Sequence, residues 1–485
     1  MDNRRWRGAA LGSCRRRARR YHREVRLTLF AFIAAALHAG ELRLGRAEVK
    51  ITPPEGMPMG GGFTVRPGKA AHDDLFCKAL VFEQDGTRAG LVSCDVESFH
   101  RPWIVKARRL ITDAGGVPGD NVMITATHSH SGPEMTPIVL AGAAGETKRI
   151  ADAYHEALPG RIAEAVRLAG QGMEPARVWF GRGSEDSVSF NRRYVMKDGS
   201  VKTNPGQVNP DIVRVAGPID PELLALYFDT PEGKPLATIV NFALHTTSWG
   251  GADFSSDYPG IVARRLAEVK GADMTTLFLP GCSGNINQVD VTTKERQSGP
   301  AVSARIGNIL AADVMKLYRK MEPVPAAALR IRSRAVELAP LSFTGAELAA
   351  AKRTIEASRK GGAGGPKFLD IVHAFTVVNA TETHGGKPVR TETQAIAFGE
   401  ELAIAGLPAE VFTELGMALK RGSPYPRTLV SELANDMLDY IPNLRAFPEG
   451  SYEPTTARCA PGCGEHLIQE ATSLLVELFR EGMRK

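Results

Sequence analysis

Two histidines two residues apart, in Thr127-His128-Ser129-His130-Ser131-Gly132-Pro133, close the strand-like run Val122-Met123-Ile124-Thr125. Alternate residues of a strand face one side. The spacing therefore predicts that His128 and His130 point together into one cleft at a strand end, where Gly132-Pro133 stops the strand. Imidazole nitrogen suits zinc, and a second histidine nearby can orient water or shuttle a proton. The alternative is a hydrogen-bonded structural pair. His245 closes a second apolar strand, in Asn241-Phe242-Ala243-Leu244-His245, just before the loop Trp249-Gly250-Gly251. A carboxylate, Glu410, follows the run Leu402–Leu407. It reads either as an acid favoured by a helix N-terminus or as the ligand that completes the His₂Glu set of catalytic zinc, with one position left for water.

Serine chemistry is the rival reading. Gly281-Cys282-Ser283-Gly284-Asn285 follows the apolar run Leu277–Leu279. Asn285 stands where the last glycine of G-x-S-x-G should be, so Ser283 is expected to sit in a glycine-rich turn lining the pocket. No Walker or dinucleotide-binding glycine motif occurs in a strand–turn–helix setting.

The elements that must position these residues alternate along the chain. Ala79–Phe82 and Gly90–Cys94 flank Asp85-Gly86, a strong hairpin signal. Leu223–Asp229 and Leu236–His245 flank a second turn, and Asn121–His128 reads as a buried strand. Helical periodicity marks Tyr258–Val269, Ser303–Lys320 and a last helix in which Leu467, Ile468, Ala471, Leu474, Leu475, Leu478 and Phe479 repeat at three and four. That last face is regular enough to require burial. Gly361–Gly365 reads as a surface loop, with strands expected to resume near Val372. Interspersed strands and helices predict an α/β fold: a layered mixed sheet with surrounding helices and the candidate zinc site at strand ends.

Composition bounds the partners. The 485 residues are 43% hydrophobic and 24% charged, which excludes a disordered, collagen-like or coiled-coil chain. Residues 1–39 hold ten arginines and two acids, a net of +8 against +6 for the whole chain, so the remainder is slightly acidic. With no basic, aromatic-studded stripe beyond that segment, nucleic acid is not the expected partner. Leu27–Ala39 is an uncharged apolar run of 13 residues behind the basic segment. It is short for a membrane span and suits a signal peptide. The expectation is therefore a leader over 1–39, a single zinc-hydrolase domain over 40–485, and export to the periplasm or medium. Membrane contact by the mature chain would lack an evident anchor. Of the six cysteines, five lie beyond the leader, an odd number that argues against a disulfide framework. Cys459 and Cys463 form a candidate pair for an oxidising compartment.

Taken together, these segments resemble the neutral (non-lysosomal) ceramidase family in its zinc-dependent catalytic domain, from about Ala47 to the C-terminus. Ile124–Pro133 is similar to the family's T-H-T-H-S-G-P. Asn191-Arg192 resembles its N-R-S, and Leu407–Thr413 its P-G-E-F-T. Tyr440 and Tyr452 stand twelve apart, like the tyrosines of its G-Y-x-T-T…Y-E segment, and Ser451-Tyr452-Glu453 keeps the Y-E pair. The resemblance implies zinc held by His128, His245, Glu410 and Tyr440, with His130, Arg192 and Tyr452 as catalytic helpers. It implies hydrolysis of an N-acyl amide, with His130 as general base and then acid and with Arg192 and Tyr452 donating to the oxyanion. The same site acting on an ester, lactone or other polar substrate is one alternative, and a non-catalytic metal-stabilised binding protein is another. Gly284-Asn285-Ile286-Asn287-Gln288 departs from the family's G-D-x-S-P-N in lacking its serine. The sequence predicts no counterpart of the family's C-terminal immunoglobulin-like domain after the last helix. Both departures lead to an expectation of soluble or short-chain N-acyl substrates ahead of long-chain ceramide.

Overall fold

The computed structural model describes residues 40–325, 328–360 and 364–483. The expected leader over 1–39 lies outside the described residues. Three sheets carry most of the strands. In the first, Val122–Ala126, Thr87–Cys94, Phe76–Gln84, Arg43–Lys50 and Glu174–Pro175 lie side by side. The second runs Thr275–Pro280, Pro235–Phe242, Glu222–Asp229, Arg177–Ser184, Glu322–Val324. The third runs Leu329–Leu338, Val389–Phe398, Leu402–Gly406, Arg427–Ser431.

Each sheet is mixed, and each holds one parallel pair: Thr87–Cys94 with Val122–Ala126, Pro235–Phe242 with Thr275–Pro280, and Leu402–Gly406 with Arg427–Ser431. Parallel strands need cover on both faces, and here the sheets supply much of it for one another. Leu80, Phe82 and Leu91 of the first sheet share a core with Leu226, Ile239 and Leu277 of the second and with Ile396, Ile404 and Leu429 of the third. Helices close the outside. The C-terminal helix Cys463–Gly482 buries Leu467, Ala471, Leu474, Leu475 and Leu478, as its periodicity requires.

Both predicted hairpins form. Asp85 and Gly86 take φ values of 50° and 77°, the left-handed pair of a two-residue hairpin turn. Tyr258–Val269 lies within the helix Asp257–Lys270, and the predicted Ser303–Lys320 falls on the helix Pro300–Tyr318, which starts three residues earlier and ends two residues sooner. One expectation fails. Strands do not resume at Val372, because Phe368–Val378 is an α-helix and the next strand starts at Val389. Periodicity cannot separate a short continuous apolar run in a buried strand from the same run in a buried helix. The candidate pair Cys459–Cys463 is bonded, but a second disulfide, Cys77–Cys94, is not expected from the sequence, and Cys282 is buried and free. Cys77 and Cys94 are direct register partners across a hairpin, a proximity that spacing along the chain does not reveal. Among the described residues, no helix is long and apolar enough to cross a membrane.

Candidate metal centre

The three parallel pairs aim their carboxyl ends at one place. His128 follows Val122–Ala126 and His245 follows Pro235–Phe242. Glu410 lies past Leu402–Gly406, on a two-residue strand Glu410–Val411 that pairs in parallel with Tyr440–Ile441. Gly284 lets this last strand seat closely, since a Cβ there would stand 2.5 Å from the Glu410 carbonyl oxygen.

The ligand atoms converge. His128 Nε2 lies 3.0 Å from His245 Nε2. Glu410 Oε2 lies 3.3 Å from the first and 3.1 Å from the second. The Tyr440 hydroxyl is 3.4 Å from His245 Nε2, and His130 Nε2 is 3.3 Å from His128 Nε2. His128, His245 and Glu410 are almost wholly buried.

Both histidines are held by their other nitrogen. His128 Nδ1 donates to the Glu97 carbonyl at 2.8 Å and His245 Nδ1 to the Ser283 carbonyl at 3.0 Å. That fixes both tautomers and turns the two Nε2 lone pairs toward each other and toward a carboxylate oxygen that has no hydrogen-bond donor. Such a cluster calls for a positive charge in its midst. Burial opposes the charge on His128, but the Glu410 carboxylate outweighs it and pushes this imidazole up to about 9. Burial, with Arg192 and His128 nearby, pushes His245 down to about 4. Burial would raise Glu410, yet the two imidazoles hold it well below the usual carboxylate range. A proton shared here does the electrostatic work that a divalent cation does better. The donor types, their separations and the backbone carbonyls behind both imidazoles all fit a metal ion.

The expected helpers are present at the same site. The Arg192 guanidinium sits 5.3 Å from the Tyr440 ring and 5.8 Å from the Tyr452 ring. Its Nε donates to Glu453 Oε1 at 2.9 Å and its Nη2 to the Gly284 carbonyl at 2.7 Å. His130 is kept neutral, well below its ordinary value, by burial and then by His128 and His245.

The way His128 and His130 meet differs from the predicted one. The strand stops at Ala126, and His128 has a left-handed φ of 65°. Their rings, 4.7 Å apart, are joined by a turn and not by strand alternation. Ser283 is no exposed nucleophile. It is buried, and its hydroxyl donates to Glu432 Oε1 at 2.5 Å.

A cavity of about 90 Å³ opens onto this cluster, with His130, Glu410, Tyr440 and Tyr452 on its floor and Phe63, Val139, Val372 and Phe375 along its apolar wall. Sequence reading missed the residues that build its sides. Glu97 follows the strand Thr87–Cys94 much as His128 follows its own, and Gly60-Gly61-Gly62 marks a close backbone approach. Both were visible signals. The Asp439–Arg458 pair and the aromatic wall left none.

The fold and site thus define an α/β protein with a buried histidine–carboxylate centre at the convergence of three sheets. No family model matches the chain. Over 220 residues, 43% of this chain, it is 26% identical to the neutral ceramidase of Pseudomonas aeruginosa, and the match spans 30% of that protein's length. A crystal structure of neutral ceramidase from Pseudomonas aeruginosa superposes with a TM-score of 0.70 at 20% identity, covering 91% of this chain and 75% of that one. A structure of ceramidase complexed with C2 gives 0.69 at 19% identity, covering 91% and 76%. At that identity the structural likeness establishes the shared fold. The sequence match is to the same family that the motifs resemble.

Proposed function

We propose that this chain is a zinc-dependent hydrolase that cleaves an N-acyl amide bond, with His128, His245, Glu410 and Tyr440 holding the metal. The observation that carries the reading is the facing of two pinned imidazoles and an undonated carboxylate oxygen, all within 3.0–3.3 Å, at the floor of a pocket. Zinc bound there would supply a Lewis acid and bring the pKa of a water to about 7.

The chain's own groups supply the rest. His130, neutral and at the pocket floor, takes a proton from the attacking water and returns it to the leaving amine. Arg192 is fixed through Nε and Nη2, which leaves other N–H groups of its fork for the developing oxyanion. The Tyr452 hydroxyl is kept protonated by burial, so it remains a donor. The apolar wall of Phe63, Val372 and Phe375 receives the acyl group.

The whole of residues 40–485 is proposed to serve this one site, after export and removal of the leader. N-terminal sequencing of protein from its host should begin near Gly40. The activity is tested with purified, zinc-loaded protein on matched N-acyl and O-acyl compounds of graded chain length. Chelator-sensitive release of amine supports the proposal. Turnover of O-acyl compounds alone moves the reading to an esterase. Bound metal without turnover of either series moves it to a binding protein. Fastest turnover on the short acyl chains agrees with the small volume of the pocket, whereas a maximum on long-chain ceramide would restore that lipid as the substrate.

A further inference from the structure

The pocket contains two acids that the proposed chemistry does not use, Asp439, which is paired with Arg458, and Glu97. Glu97 is 9% exposed and lines the cavity beside His130 and Glu410. Its Oε1 accepts from the Gly61 amide at 2.9 Å. Its Oε2 is enclosed and accepts from nothing among the described residues, so no arginine or lysine hydrogen-bonds it. The basic groups nearby are already engaged. Arg458 is bound to Asp439, and Arg192 to Glu453. Glu410 is committed to the two imidazoles.

Glu97 is held firmly in this position. A Cβ on Gly60 would stand 3.0 Å from Oε2, and one on Gly61 2.2 Å from His130 Nδ1. The glycine turn therefore wraps closely over both side chains, and Glu97 cannot swing out to solvent without displacing it. A buried carboxylate oxygen with no donor is unfavourable. In a substrate pocket, the ligand itself can bring the missing donor.

We propose that Glu97 is a specificity residue that binds a primary ammonium group on the substrate, making the preferred substrates N-acylated amines that carry a second, free amino group. This deepens the amide-hydrolase reading and rests on it for the scissile bond. An ammonium supplies both the hydrogen bond and the countercharge. A hydroxyl supplies only the first, and a methyl group supplies neither.

The test uses the butanoyl amides of ethylenediamine, ethanolamine and propylamine, which place an ammonium, a hydroxyl and a methyl group at the same position. Each is titrated calorimetrically at neutral pH into zinc-loaded full-length protein, and release of the amine is followed separately. The ammonium compound should bind roughly tenfold or more tightly than either neutral one. Glu97→Gln should erase that margin, and Glu97→Asp should retain part of it. Equal binding by the wild type, a hydroxyl preference, no binding of the ammonium compound, or a margin that survives Glu97→Gln would each overturn the proposal. The wild-type comparison stands even if a variant fails to fold. Ammonium-selective binding without cleavage would sink the hydrolase reading and leave Glu97's role intact. Cleavage without selectivity would do the reverse.

Discussion

Glu410 and Tyr440 are register partners in a two-residue parallel ladder, so the twenty-nine intervening residues return the phenol to the side of the carboxylate. The ladder is made of backbone, and Tyr440→Phe leaves it intact. We expect that variant to fold normally and to lose at least about ten- to a hundredfold in zinc affinity or activity, since even a group that only supports a ligand is worth that much. Glu410→Gln should cost more, because it removes the charge that balances the cation. Metal content after dialysis, read beside a melting curve, checks both. Full zinc occupancy in Glu410→Gln would remove the carboxylate from the ligand set.

Glu432 ties the two sides of the centre together. Its Oε1 accepts from Ser283, whose carbonyl holds His245, and its Oε2 accepts from the Val411 amide beside Glu410. Ser283→Ala removes one of these bonds and leaves a buried oxygen without its donor, at a cost of about 1–3 kcal/mol. Activity should fall by no more than about a hundredfold and should remain sensitive to chelators. A serine nucleophile predicts the opposite pattern, with complete loss in Ser283→Ala and no response to chelation.

How far the site could be read from sequence follows from how each residue reaches it. His128, His245 and Glu410 each end an apolar run, so their place at strand ends was legible. Their meeting was not, because it depends on three sheets sharing one core. Tyr440, Arg192 and Tyr452 stood out only through resemblance to a family. Tyr440 sits on a two-residue strand, too short to show a period. Glu97 follows its strand as His128 does, a signal the sequence carries, but the cavity is what shows that its carboxylate faces inward. The helix Phe368–Val378, with its β-branched and aromatic residues, reads in sequence as the place where strands resume, because only tertiary packing decides such a segment.

Glu453 is fully buried between two arginines, bonding Arg192 Nε at 2.9 Å and Arg193 Nη1 at 2.8 Å. Thr203 Oγ1 adds a third donor at 2.7 Å. Removing one member of such a network strands the opposite charges in a dry interior, at about 3–5 kcal/mol. Glu453→Ala should therefore shift the urea midpoint by that equivalent. It should also lower kcat more than it raises KM, since Arg192 loses the contact that aims it. A variant that unfolds at the wild-type midpoint would show the network to be energetically neutral.

His100 gives the chain a sensitivity to mild acid that does not involve the proposed metal ligands. It caps the N-terminus of the helix Arg101–Ala114, where a cation is disfavoured by the helix dipole. The residue keeps some exposure, but the atom that would take the proton does not: Nε2 is enclosed and has no partner. Burial, and then the charge of Arg458, push the imidazole down from its ordinary 6.5 to about 3. Between those two values the unfolded chain holds a proton on this residue that the folded chain does not. Stability from this group is therefore complete above about pH 6.5 and falls by about 1.4 kcal/mol per unit as the pH drops toward 3. Buried acids such as Asp95, raised to about 6, act in the opposite sense, so the comparison must be between variant and wild type. His100→Phe should flatten the fall in unfolding free energy between pH 6.5 and 4.5 by about one proton's slope. Parallel curves for the two proteins would mean that His100 finds a way to protonate without unfolding.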